Sequence, residues 1–187
     1  MRRSESFTVA RLPSPIGVML LMSDSDGALR ALDWEDHAAR MHALMRRQYG
    51  PDIAPGEGVA PAELRQALTA YFDGVLAALD AVPVATAGTS FQRQVWAELR
   101  RIPPGTTLSY GALAARIGRP AAVRAVGAAN GANPISIVLA CHRVIGADAT
   151  LTGYGGGLER KRWLLAHEGA LPAGARRSSA SRRCLPA

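Results

Sequence analysis

Residues 137–146 read IVLACHRVIG, and no other stretch limits the possible folds so tightly. Ile137, Val138 and Leu139 need cover from water. Cys141, His142 and Arg143 follow almost at once, and a core refuses a charge that has no partner. The fold must bury this segment and also bring polar partners to its end. That is what a reactive site set into the wall of a core requires.

The 187 residues allow one large domain or two small ones. With 48% hydrophobic and 20% charged residues, the composition is globular and excludes a disordered chain. No apolar run reaches the length of a membrane span. Arg2 and Arg3 are followed by Ser4 and Glu5, not by the apolar block of a signal peptide. The reading is a soluble, cytoplasmic protein with no membrane partner. Cys184 lies in a terminal stretch of Ala, Arg, Ser and Pro, which leaves Cys141 alone in the body of the chain. Neither a disulfide framework nor a CxxC zinc pair can be built from these two. No metal and no cofactor is expected.

Charge is unevenly spread. Residues 1–89 carry eight arginines against eleven acids, and residues 90–170 carry ten basic residues against four acids. Residues 171–187 add four arginines and no acid. The second half is basic in its own right, which points to an anionic partner, nucleic acid first. A solvated basic face is the plainer alternative.

The chain opens with three short apolar stretches, FTVARL, IGVMLLMS and GALRALDW, separated by the turn signals SPIG and SDSDG. They predict a small antiparallel sheet. EDHAARMHALMRRQYG and PAELRQALTAYFDG predict two helices, the second with Leu64, Leu68, Tyr71 and Phe72 on one face and Gly74 as its stop. LDAVPVATAG has little periodicity and marks a boundary near residues 80–89. In the second half, TSFQRQVWAELRRI begins with Thr89 and Gln92 in capping-box spacing and buries Phe91, Val95, Trp96 and Leu99. SYGALAARIG predicts a short helix from Ser109 to Gly118, and RPAAVRAVGAANG a second with Pro120 early. Two short helices on a tight turn make a helix-turn-helix pattern. The second is rich in Ala and Gly, and Arg124 has no acid at i±3 or i±4. A helix so bare suits close approach to a narrow groove better than base reading by many side chains.

A thiol at neutral pH is mostly protonated and needs a base to become a nucleophile. His142 is adjacent to Cys141, but neighbouring side chains in extended chain point apart, so a bridging water is the simplest link. A histidine base needs an orienting acceptor, and Glu168 in the final helix LERKRWLLAHEG is a candidate. Taken alone, a Cys-His pair reads first as a small buried hydrophobe beside a satisfied polar residue. A cysteine hydrolase is a rival, with Asn133 as partner of a separate histidine, but it leaves the basic block unexplained.

The long ordered stretches SYGALAARIGRPAAVRAVGAANGANP, ISIVLACHRVIG and LTGYGGGLERKRWLLAHEG resemble the O6-alkylguanine-DNA alkyltransferase family, the methylated-DNA–protein-cysteine methyltransferases, over residues 90–170. The opening SPIG and ALRALDWEDHAARM resemble the N-terminal part of standalone bacterial members. The resemblance implies an α+β fold: a small N-terminal α/β (RNase H-like) domain with an antiparallel sheet at 1–85, a helical domain with a winged helix-turn-helix at 86–170, and a disordered basic tail at 171–187. It implies direct repair. The protein would bind duplex DNA as a monomer through the minor groove, flip out O6-alkylguanine (or O4-alkylthymine), and move the alkyl group irreversibly to itself, once per molecule.

By the same resemblance Cys141 is the acceptor, His142 takes its proton through a water, Glu168 holds His142, and Asn133 braces the turn. Arg124 fills the gap left by the flipped base. Tyr110 acts at the flip site and helps the base leave, and Ala125, Gly127 and Ala128 lie against DNA. Tyr154, Gly155, Val144 and Ser136 line the base pocket, so TGYGGG is a base-binding loop, lacking the Lys-Ser/Thr of a phosphate loop. One position departs from the family: Ala140 stands where proline usually precedes the cysteine, which frees the backbone there. A lesion sensor that binds without transferring is therefore the second hypothesis. The cysteine-free N-terminal half excludes the zinc site of mammalian members and the extra domain of adaptive-response regulators.

Overall fold

Strand β1 (Phe7–Ser14) turns into β2 (Gly17–Asp24) through a two-residue hairpin in a computed structural model that describes residues 6–171. The tail expected at 171–187, with Cys184, lies outside the described residues except for Leu171. Ser14 Oγ fixes the hairpin by donating to the Gly17 carbonyl at 2.6 Å. At the SDSDG turn, Asp24 Oδ1 accepts the amides of Asp26 and Ala28 at 3.0 and 2.9 Å, the side-chain turn that aspartate favours. β3 (Leu29–Trp34) pairs antiparallel with β2. The sheet is not purely antiparallel as expected: a two-residue β4 (Gly56–Glu57) adds parallel to β1, giving the order β3-β2-β1-β4.

β2 shows only partial alternation because both of its faces are covered. Leu20 and Met22 pack with Met41, Leu44 and Met45 of α1 (Ala38–Tyr49). Met19 and Leu21 join a second cluster with Leu64 and Leu68 of α2 (Ala62–Phe72) and Val95, Trp96 and Leu99 of α3 (Ser90–Arg100). That cluster continues to Val126, Val138 and Leu164, so one core spans both halves of the chain. The helix expected from residue 35 starts with a tight turn at Glu35–His37 before α1 proper. Phe72 and Phe91, expected on buried faces, are only partly buried.

The Thr89–Gln92 capping box forms at the start of α3. Trp96 docks α3 on α5 (Val123–Gly131) by donating to the Ala129 carbonyl at 2.8 Å. α4 (Tyr110–Arg116) has Ser109 as its N-cap and gives way at Gly118, whose φ of +71° suits glycine. α5 begins four residues later than Arg119, where the helix was expected. Arg119–Ala122 close as a turn, with the Ala122 amide on the Arg119 carbonyl at 2.9 Å, and Pro120 sits inside it. β5 (Leu108–Ser109) and β6 (Val144–Ile145) form a short parallel ribbon, and α6 (Leu158–His167) closes the described chain. Among the described residues no helix is long and apolar enough to cross a membrane.

Two bridges cover the edge strand β3, the first from the boundary segment and the second from the second half. Leu29 exchanges backbone hydrogen bonds with Pro83 and Ala85, and Leu32 with Pro134 and Ser136, at 2.8–3.0 Å. The second bridge delivers the segment that leads to Cys141.

Candidate active site

Residues 133–145 are buried without a break. Asn133 organises them: its Nδ2 donates to the Leu139 carbonyl at 2.7 Å, and its Oδ1 accepts the Ile135 amide at 2.9 Å. Between these anchors the backbone folds into two three-residue turns of opposite hand. The first centres on Ile137, with φ +68° and the Val138 amide on the Ser136 carbonyl at 2.8 Å. A β-branched residue in that region costs on the order of 1–3 kcal/mol and persists only where its surroundings hold it. The second centres on Ala140, at φ −69° and ψ 55°, with the Cys141 amide on the Leu139 carbonyl at 2.6 Å. Ala140 thus already has the φ that proline would impose, and among the described residues its N–H makes no hydrogen bond.

Cys141–Arg143 form one tight helical turn, with the Arg143 amide on the Ala140 carbonyl at 3.0 Å. All three side chains are buried. His142 Nε2 lies 2.9 Å from Glu168 Oε1. A carboxylate there can only accept, which puts the ring proton on Nε2 and leaves Nδ1 with a lone pair. Nδ1 is buried and meets no protein partner among the described residues. Arg143 grips Glu168 twice, Nε on Oε2 and Nη2 on Oε1, each at 2.8 Å, and also donates to the Ile102 carbonyl. Tyr71 adds a fourth bond, from its hydroxyl to Glu168 Oε1 at 2.7 Å.

These contacts set the proton affinities. Burial raises that of the Cys141 thiol, an effect eased by Asn133, Arg40 and Lys161. Burial depresses that of His142, against the pull of Glu168. The pair therefore rests as thiol and neutral imidazole. Burial would raise the Glu168 carboxyl too, but Arg143 and His142 hold it far below the usual carboxylate range.

The glycine-rich loop lies against the N-terminal half. A Cβ on Gly155 would strike the Arg40 guanidinium, and one on Gly156 the Trp34 ring, so these glycines permit close approach. Tyr154 meets Trp34 edge-on at 5.8 Å and the His142 ring at 6.4 Å. Its hydroxyl is buried with Ser136 as polar neighbour, and no hydrogen bond closes between them. Lys161 holds the loop from beneath, donating to the carbonyls of Val144 and Thr152 at 2.6 and 2.7 Å. Its ammonium is wholly buried, which pushes its pKa down to about 8. Arg40 Nη2 donates to the Gly131 and Asn133 carbonyls at 3.0 and 3.1 Å and anchors the start of the buried segment.

The fold brings Cys141, His142, Glu168, Asn133, Ser136, Val144, Tyr154 and Gly155 to one place. Tyr110 stands at its edge, with Thr152 Oγ1 donating to its hydroxyl at 3.4 Å and its ring against Gly127. Arg124, Ala125 and Ala128 are apart from it, exposed on α5. Among the described residues Arg124 makes no hydrogen bond or ion pair. The sequence places Arg143 beside Cys141 and His142 but does not show its grip on Glu168, and it does not point to Tyr71, Lys161 or Arg40 as parts of the site. Lys161 had a signal: it shares the helical spacing of Leu164, Leu165 and Glu168, a lysine on a buried stripe. The spacing of Tyr71 on α2 marks it as core, which its ring is. Nothing local marks Arg40. Among the described residues no cluster of His, Cys, Asp and Glu could hold a metal ion.

Residues 90–170 match the family described as the DNA-binding domain of 6-O-methylguanine DNA methyltransferase. The methylated-DNA–protein-cysteine methyltransferase of Salmonella typhimurium is 50% identical over 162 residues, covering 86% of this chain and 95% of that protein. The crystal structure of the O6-methylguanine methyltransferase of Mycobacterium tuberculosis superposes with a TM-score of 0.72 at 39% identity, covering 89% of this chain and 96% of that one. The same figures hold for the M. tuberculosis protein crystallised in complex with DNA.

Proposed function

Because the chain belongs to the family of methylated-DNA–protein-cysteine methyltransferases, we propose that it repairs O6-alkylguanine, and O4-alkylthymine, in duplex DNA by moving the alkyl group to Cys141. The observation that carries this reading is the buried Nδ1 of His142, the residue that follows Cys141: among the described residues it has no partner, and its opposite nitrogen is on Glu168. The thiol proton passes to Nδ1 through one water. The thiolate attacks the alkyl carbon, the carbon–O6 bond breaks, and its electron pair stays on guanine, toward which Tyr110 donates. The resulting thioether is stable, so each molecule acts once.

The base reaches this depth only by leaving the stack. Tyr154, Gly155, Val144 and Ser136 receive it, and Arg124 takes its place in the duplex. The exposed face of α5 carries Ala125 and Ala128 and is thin enough to enter the minor groove, with α4 and α5 as a winged helix-turn-helix. An RNase H-like domain at 1–85, a catalytic domain at 86–170, a monomer and a cytoplasmic setting complete the reading. No cofactor takes part.

Intact mass after mixing with a duplex carrying one O6-methylguanine tests it, with peptide mapping. The expected result is a gain of one methyl, on Cys141 and not on Cys184. Tight lesion binding with no gain in mass would overturn transfer and make the protein a sensor.

A further inference from the structure

α2 lies in the half of the chain where no site residue was expected, yet one of its side chains reaches the proton path. Tyr71 is fully buried, and its hydroxyl shares Glu168 Oε1 with His142 Nε2 and Arg143 Nη2. Three donors converge on one oxygen, while Oε2 takes Arg143 Nε. Tyr71 is held at its other end as well. Its carbonyl meets His167 Nε2 at 2.8 Å, and its ring packs edge-on against Phe72 and His167 at 5.3 and 5.2 Å. His167 is stacked on Trp163 at 4.9 Å. α2 therefore grips the end of α6 at two adjacent residues, 167 and 168.

A carboxylate oxygen that satisfies several donors offers less to each. The Tyr71 hydroxyl draws on the density that Glu168 gives to His142, and it adds to the two-point grip of Arg143 that holds the carboxylate in place. Resting on the alkyl-transfer reading above, we propose that Tyr71 is a positioning residue for the Cys141–His142 pair, fixing the Glu168 carboxylate and tempering the basicity it lends to His142. The N-terminal half then helps to set the pH range of transfer. The other charged and titratable groups around His142 are Glu168 and Lys161 from α6, Arg143 and Cys141 from its own turn, and Tyr154 from the loop. Tyr71→Phe leaves all of these in place and deletes one oxygen.

Two measurements test the proposal. In the first, alkyl transfer from an O6-methylguanine duplex is followed across the range in which histidine titrates. Tyr71→Phe is expected to slow the plateau roughly threefold to tenfold and to move the acid limb up by about half a pH unit, with lesion affinity unchanged. In the second, the ring nitrogens of His142 are titrated by NMR in the free protein, where the midpoint is expected to rise in the same sense. Leu68→Ala, buried on the same helix and apolar, should lower Tm and move neither midpoint. A His142 midpoint equal to that of the unaltered protein, or a shift that Leu68→Ala reproduces, would overturn the proposal. If the unaltered protein transfers nothing, the alkyl-transfer reading fails, and the NMR titration still decides the role of Tyr71.

Discussion

Helix α5 and the segment 133–145 follow one another in the chain and are built in opposite ways. The segment is buried at every residue, and its turns are closed by Asn133 and by its own amides. α5 buries Val126, Ala129 and Asn130 but leaves Val123, Arg124, Ala125 and Ala128 to solvent. Their arginines show the contrast best. Arg143 spends its donors on Glu168 and the Ile102 carbonyl, whereas Arg124 spends none among the described residues. If the segment holds the reacting groups, as proposed above, their geometry is completed inside the protein, in advance, where fixed dipoles act most strongly. On the reading proposed above, α5 leaves its contact with DNA incomplete, for the partner to finish.

The contrast breaks most sharply at Glu168. Glu168→Gln should cost about 3–5 kcal/mol of stability, because it strands the Arg143 charge in the core. Thermal or denaturant unfolding measures it, and a loss below about 1 kcal/mol would mean that the network is not preorganised. The pH dependence follows with a definite sign. The Glu168 carboxyl is held far below the ~4.3 of an unfolded glutamate, so its contribution is present above that pH and lost as pH falls toward the folded value. The unaltered protein should therefore lose stability more steeply on acidification than Glu168→Gln does.

At α5 the opposite is expected. Arg124→Ala should slow transfer on duplex DNA roughly tenfold, about 1.4 kcal/mol, while Tm stays put. Transfer from the free modified base should be unaffected, and equal slowing on both substrates would place Arg124 in the chemistry. The smallest effect belongs to Ala140→Pro. Its backbone already has proline's φ and no N–H bond to lose, so stability should rise by about 0.4–1 kcal/mol with a small gain in transfer rate. No change in either would show that the two turns alone hold Cys141 in place.

The two regions also differed in how far they could be read in advance. α4, the capping box of α3 and the apolar face of α2 follow local rules, and the sequence shows them. α5 is shorter than its sequence suggests, because Pro120 fits either a first helical turn or the turn before it. The Cys-His pair was visible, and so was Glu168 as a candidate acceptor. The hydroxyl of Tyr71 and the guanidinium of Arg40 were not, since their partners lie 97 and 93 residues away. No periodicity encodes such a meeting. The hand of the Ile137 turn was equally hidden, because nothing local favours a positive φ at isoleucine.

The bridge between Leu32 and Pro134–Ser136 has a further consequence. β3 is the edge of its sheet, and an edge with free amides and carbonyls invites other chains to add to it. Here part of that edge is occupied by the approach to Cys141 itself. Any opening that pulled the two halves apart would bare Leu32 and Trp34 beside an unpaired strand, and such a species self-associates. The same pair of backbone hydrogen bonds thus both covers part of a sheet edge and places the segment that carries Cys141.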